Sequence, residues 1–173
     1  MALFYLVRHG KTDYSERNQK IYQGFGVNLS PLSAEGVIEI RNTARDERLR
    51  GADLILSSPY TRAVQTAAIL SRELQADLII ETDLHEWMAN KHYVYEDDER
   101  AEKNYREFAE NNGVYPAGQD PDWEDTAAIR RRVLPVLDKY RHHAKVIVAC
   151  HGMLIQSLCG CHPQNGEIVE FEY

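Results

Sequence analysis

Hydrophobic and polar positions alternate along this chain in two periods. Short aliphatic runs at 3–7, 53–56, 78–80 and 145–149 predict strands, and a fifth at 167–171 carries Ile168, Val169 and Phe171. Longer stretches, with apolar residues three or four apart, predict helices. The first spans 34–49 and opens on Ser33 as N-cap. The next spans 61–74, with Ala63, Ala67, Leu70 and Leu74 on one face. A strongly charged surface helix is expected over 97–111. Another follows over 125–143, with Ile129, Val133 and Leu137 on one side and a kink at Pro135. A short last helix covers 153–158. Strand–helix alternation predicts an α/β three-layer sandwich with a mostly parallel central sheet flanked by helices. In such sheets ligands lie beyond the carboxyl ends of the strands. That singles out Arg8-His9-Gly10, Ser57-Ser58-Pro59 and His151-Gly152.

The stretch 93–122 interrupts the alternation. It is rich in Tyr, Glu, Asp and Asn, with turn signals at Asn112-Gly113, Pro116 and Pro121. We read residues 1–173 as a single domain with a substrate-side insertion around 93–122.

Composition narrows the function. The net charge is -7, which argues against nucleic acid as partner, since backbone phosphates need a basic face. Local arginines still allow a positive pocket in an acidic surface. No apolar run is long enough to span a bilayer, and the apolar opening lacks a basic flank, so the expected setting is cytoplasmic, away from membranes. The three cysteines, Cys150, Cys159 and Cys161, are read as reduced thiols, and their spacing matches no common zinc pattern. Arg130-Arg131-Arg132 is read as one exposed helix face.

The strand ends would deliver two imidazoles, from His9 and His151, and two guanidiniums, from Arg8 and Arg62. Such a set suits a dianionic tetrahedral group, because the arginine fork grips phosphate oxygens in pairs. Helix N-termini after His9, Pro59 and His151 would add N–H donors. Nearby arginines lower an imidazole pKa and keep a nitrogen lone pair free for covalent transfer.

These residues carry a resemblance. Leu6-Val7-Arg8-His9-Gly10-Lys11-Thr12 resembles the signature of the histidine phosphatase superfamily, which includes the phosphoglycerate mutases. Ser30-Pro31-Leu32-Ser33-Ala34-Glu35-Gly36 is similar to the segment that opens the first helix in that family. The run from Ser57 to Ala67, Ser-Ser-Pro-Tyr-Thr-Arg-Ala-Val-Gln-Thr-Ala, resembles the second signature. Val146-Ile147-Val148-Ala149-Cys150-His151-Gly152 resembles the third. The resemblance implies a phosphoglycerate mutase-like fold and a phosphohistidine mechanism. His9 would be the nucleophile, with Arg8, Arg62 and His151 on the phosphoryl oxygens. Glu86, in Leu84-His85-Glu86, would be the proton donor, with Asp83 the other candidate. Thr12, Gln23 and Gly152 would add substrate contacts. No metal and no cofactor is implied.

The chain departs from the family pattern at Lys11, at Tyr14-Ser15, and at Asn90, which stands where glycine is common and tolerates a left-handed backbone. His92 replaces a frequent aromatic. These positions bear on the leaving group rather than the phosphate. The expected activity is hydrolysis of a small phosphomonoester. The alternatives are a phosphoglycerate-type mutase, a protein phosphohistidine phosphatase, and a non-catalytic phospho-ligand module. A mutase must keep its intermediate from water, and the short segment after Glu86 weighs against it. The substrate and the oligomeric state stay open.

Overall fold

The computed structural model describes residues 2–19 and 26–173. Five strands form one sheet: β1 (Leu3–Arg8), β2 (Leu54–Ser57), β3 (Asp77–Ile80), β4 (Val146–Cys150) and β5 (Ile168–Glu172). Their order is β3-β2-β4-β1-β5. The first four run parallel, and β5 pairs antiparallel with β1. The helices are α1 (Gly26–Leu29), α2 (Ala34–Thr43), α3 (Thr61–Leu74), α4 (Asp98–Glu110), α5 (Thr126–Tyr140) and α6 (Gly152–Cys159). No described helix is long and apolar enough to cross a membrane.

Alternation along β1 explains the layers. Phe4 and Leu6 join Leu56, Val148, Ile129 and Leu137 in the core under α5 and α6. Tyr5 and Val7 join Ile40, Ile55, Ala67, Leu70 and Ile147 under α2 and α3. Leu6, Leu56 and Ile147 are fully buried, and each such side chain contributes about 1.5–3 kcal/mol. A smaller cluster of Phe108, Trp123 and Met153, with Trp87 and Tyr115 against it, fastens α4 to α6.

Three elements differ from the pattern-based expectation. The helix read over 34–49 ends at Thr43, and Glu47–Leu49 forms a separate 3₁₀ turn. Asp46 caps that turn by accepting the Arg48 N–H at 2.9 Å, and such a short polar side chain competes with helix continuation. The one-turn α1 was not foreseen. Helix α5 runs through Pro135 and ends at Tyr140, short of the expected 143. Pro135 and Arg131 are both exposed, so the carbonyl four residues before the proline lies on the solvent side.

Candidate active site

Strand register explains how the site assembles. Arg8 pairs with Cys150, and Ser57 pairs with Ala149. One residue further on, His9, His151 and Ser58 therefore leave three adjacent strands at nearly the same level. Neighbouring strands lie about 4.8 Å apart. The His9 and His151 rings meet edge to face, with centroids 5.2 Å apart.

His9 is buried, and its Nδ1 lies 2.8 Å from the Gly10 carbonyl. A carbonyl only accepts, so Nδ1 carries the proton and Nε2 keeps its lone pair. The Arg62 Nε–H donates to that Nε2 at 3.2 Å. Burial first, then the Arg62 charge, holds the His9 pKa down to about 3, with a further push from Arg8. The Gly10 carbonyl pulls the other way without prevailing. His9 is thus a neutral imidazole with one ring edge pinned. The peptide beneath it leaves no room for a side chain: a Cβ at Gly10 would lie 2.6 Å from the Gly36 carbonyl oxygen.

The two arginines are fixed by backbone carbonyls. Arg62, in the first turn of α3, donates through Nη1 to the Val27 carbonyl at 2.8 Å, and the Tyr60 ring lies 5.2 Å from its guanidinium. Arg8 donates through Nη1 to the Pro163 carbonyl at 2.6 Å. Its buried Nε has no acceptor among the described residues. Gly152 begins α6 beside it, where a Cβ would lie 3.3 Å from Arg8 Cζ and 2.7 Å from His162 Cε1. His151 is fully buried, and its Nε2 lies 2.6 Å from the Ser58 hydroxyl. Burial, Arg62 and His9, in that order, hold its pKa well below the usual histidine range.

Glu86 reaches the same point from the other side. Its Oε1 accepts the Trp87 and Leu154 amides at 2.8 and 3.1 Å, and its Oε2 accepts the Met153 amide at 3.3 Å. It thereby caps the N-terminus of α6. Burial outweighs these donors and the Arg62 charge, so its pKa lies above the ordinary carboxylate range. Asp83, the other candidate acid, is exposed in a 3₁₀ turn. Thr12 Oγ1 lies 3.4 Å from His9 Nδ1, on the pinned edge of the ring. Gln23 lies outside the described residues.

Two readings of the sequence need correction. Arg130, Arg131 and Arg132 do not form one exposed face. Arg130 donates to the Ser157 and Leu158 carbonyls at the end of α6. Arg132 pairs with buried Glu124 at 2.7 Å and donates to the Asp83 and Glu86 carbonyls. Only Arg131 is exposed. Asn90 is not left-handed either; Tyr93 is, at φ 59. The Asn90 side chain instead closes the turn by accepting the His92 N–H at 2.9 Å.

Residue-by-residue reading missed the supporting contacts. Ser58 reaches His151, Gln65 accepts the Leu32 N–H at 2.6 Å, and Thr66 accepts the Gly10 N–H at 3.3 Å. Asn165 donates to the His9 carbonyl at 2.8 Å. Three of these lie in the segment from Ser57 to Ala67, and its density of polar residues in a buried stretch was the available signal. Trp87 is a packing residue: it meets Phe108 at 5.7 Å and donates to the Glu124 carbonyl. His85 is likewise buried, with Nδ1 on the Glu86 carbonyl at 2.7 Å. Among the described residues, no group of three or more His, Cys, Asp or Glu could hold a metal ion.

A mostly parallel sheet that gathers two imidazoles and two guanidiniums at its strand ends defines an α/β class suited to an oxyanion there. The pattern of the histidine phosphatase superfamily (branch 1) matches residues 4–167, and the chain belongs to that superfamily. It is 28% identical over 164 residues to "Putative phosphoserine phosphatase 2" of Hydrogenobacter thermophilus, covering 91% of this chain and 77% of that protein. It is 29% identical over 164 residues to "Probable phosphoglycerate mutase GpmB" of Proteus mirabilis, covering 91% and 73%. Its fold is similar to that of a mycobacterial glucosyl-3-phosphoglycerate phosphatase solved with VO3, with a TM-score of 0.72 at 19% identity, over 98% of this chain and 90% of that one.

Proposed function

We propose that this chain hydrolyses a small phosphomonoester through a phosphohistidine on His9. One observation carries the reading. The Nδ1–Gly10 bond puts the His9 lone pair on Nε2, where it accepts the Arg62 Nε–H at 3.2 Å and would exchange that bond for phosphorus. In the first step, Nε2 attacks phosphorus and the ester oxygen leaves with its bonding pair. Glu86 donates a proton to that oxygen as it departs. In the second, the Glu86 carboxylate takes a proton from water, the resulting oxygen attacks phosphorus, and the N–P bond breaks to restore neutral His9. Arg8, Arg62 and His151 stabilise the charge on the equatorial oxygens. The Gly152 amide, beside Arg8, is placed to join them.

Hydrolysis rather than mutase chemistry is supported by the rim. Tyr93, Val94 and Tyr95, on the segment read as the substrate side, are 77%, 61% and 59% exposed, which favours a rim that admits water. The small-molecule reading rests on the segment 93–122, read from its sequence as a substrate-side insertion.

The test is rapid mixing with labelled phosphomonoester, followed by acid and alkaline quenches. An acid-labile, alkali-stable label on the peptide carrying His9, with release of inorganic phosphate and no isomerised ester, is the expected result. A label on His151 or Ser57 would overturn the assignment. The same turnover should persist in EDTA, because the two guanidiniums supply the charge that a metal supplies elsewhere.

A further inference from the structure

The two buried histidines differ in which nitrogen is occupied. His9 uses Nδ1 against a carbonyl, which leaves the lone pair on Nε2. His151 uses Nε2 against the Ser58 hydroxyl at 2.6 Å, which leaves Nδ1 buried with no hydrogen-bond partner among the described residues. Ser58 is itself fully buried. A hydroxyl offers one hydrogen and accepts on its oxygen, so either group could be the donor in isolation.

The surroundings decide between them. Ser58 Oγ already accepts the Tyr60 N–H at 3.3 Å. The His151 Nε2 is the only acceptor among the described residues within reach of the Ser58 proton. If Nε2 carried the ring proton, the hydroxyl hydrogen would be buried with no acceptor, at a cost of about 1–3 kcal/mol. The ring would also turn a bare Nδ1 lone pair toward its buried open side. If the hydroxyl donates to Nε2, both Ser58 functions are met and the ring proton sits on Nδ1. An unpartnered N–H, buried beside Arg62 and His9, is a group that an anionic oxygen satisfies.

We propose that Ser58 is a positioning residue that fixes His151 as the Nδ1–H tautomer and thereby makes it a hydrogen-bond donor to the transferring phosphoryl group. The proposal rests on the phosphoryl-transfer reading for its purpose, but the tautomer stands on the Ser58 geometry alone. The two histidines then share one tautomer and present opposite ends: His9 a lone pair, His151 a proton.

Long-range ¹⁵N spectra of the imidazoles in the full chain test it directly. The wild-type His151 should show a protonated Nδ1 and an unprotonated, hydrogen-bonded Nε2 at neutral pH. Ser58→Ala should shift His151 toward the Nε2–H form. It should also weaken inhibition by vanadate roughly tenfold, less than the 10²–10³ that outright loss of such a donor costs. KM should move far less than kcat. Ser58→Thr, which keeps the hydroxyl, should restore both spectrum and inhibition. An Nε2–H tautomer in the wild type, which needs no variant to fold, would overturn the proposal. So would unchanged vanadate inhibition in Ser58→Ala. If vanadate fails to bind the wild type at all, the phosphoryl-transfer reading falls, and the donor role with it, while the spectra still decide the tautomer.

Discussion

The two sides of the proposed site, one toward the phosphoryl group and one toward the leaving group, are built by different means. On the side proposed to take the phosphoryl group, Arg8, His9 and Arg62 are held through main-chain groups, while His151 is held by the Ser58 hydroxyl. Arg8 is fixed by the Pro163 carbonyl, His9 by Gly10 and Asn165, and Arg62 by Val27. On the side proposed for the leaving group several contacts join side chain to side chain: Arg17 with Asp98 and Arg100 with Asp122 are exposed, and Asn90 with Glu96 is half-buried. Exposed pairs of this kind contribute about 0–1 kcal/mol each. On the proposed reading, a firm grip on the oxyanion set beside a loosely tied rim would separate the chemistry from the choice of substrate. The phosphate half is tuned by burial, which holds His9 at about pKa 3 and lifts Glu86. The rim has no such leverage, and its effects should be correspondingly small.

The sharpest break of the comparison is at His9. His9→Ala should lower kcat more than about 10⁴-fold, with no phosphoenzyme, since nothing replaces the bonding electrons. Retention of a trappable label would place the nucleophile elsewhere. In wild type, the His9 ring should stay neutral from pH 8 to about pH 4 by NMR, because its pKa is lowered to about 3. The sign for stability follows. The unfolded chain takes up a proton near pH 6.5 that folded His9 refuses, so this site destabilises the fold progressively as pH falls from 6.5 toward 3. A His9 signal that titrates near 6.5 would remove that contribution.

Glu86→Gln comes next. An alkoxide needs a proton as it leaves and a p-nitrophenolate scarcely does, so an alkyl phosphate should lose about 10²–10⁴ in kcat and the aryl ester far less. The pKa of Glu86 is raised, so the wild type should lose alkyl-phosphate turnover only as pH climbs past the ordinary carboxylate range. That limb should flatten in the variant. Equal losses on both substrates would shift the acid role to Asp83.

Much of the phosphate half was legible in the sequence because strand period and strand end coincide. Aliphatic runs located all five strands to within about a residue, and the ligand rule for parallel sheets then pointed to His9, Ser58 and His151. Four contiguous segments carried the family resemblance. What escaped was side-chain reach. Nothing in the order of residues says that Asn165 reaches back to the His9 carbonyl, or that Ser58 meets His151 across β2 and β4. The arginine triplet misled for a related reason. Successive helix residues are turned by about 100° from one another, so Arg130, Arg131 and Arg132 had to face different ways. Arg130 closes the end of α6, and Arg132 enters the seam between the two halves.

Arg132 tests that seam. Its guanidinium is 13% exposed and its partner Glu124 only 3%. Arg132→Met would leave Glu124 buried without its charge partner and the Asp83 and Glu86 carbonyls without a donor. The expected loss is about 3 kcal/mol in urea unfolding, near the low end for breaking a buried pair. If the halves are as independent as their construction suggests, the p-nitrophenyl activity of the folded fraction should drop less than the alkyl activity. Only the backbone that carries Glu86 is disturbed, while His9 and Arg62 keep their own anchors. Matching losses would show that the seam supports the phosphate side too.

The smallest effect is expected at the rim, and Tyr93 is the place to measure it. Its backbone is left-handed, at φ 59, and its side chain is 77% exposed with one edge contact to His85 at 6.2 Å. A bulky residue in that region is disfavoured by roughly 1–2 kcal/mol, while the ring buries too little surface to offset much of it. Tyr93→Gly should therefore raise stability, by up to about 1 kcal/mol after the extra chain entropy of glycine is counted. If the ring lines the leaving-group side, the same substitution should raise KM about threefold with kcat nearly constant, the mark of lost ground-state binding. Tyr93→Asn separates the two effects, since asparagine tolerates the left-handed backbone but offers no ring. Stability up and affinity down in both variants would mean that strain is kept at this turn for the sake of the substrate. Stability up with KM unmoved would leave Tyr93 as surface, and the rim would have to be sought in Tyr60 and Tyr95.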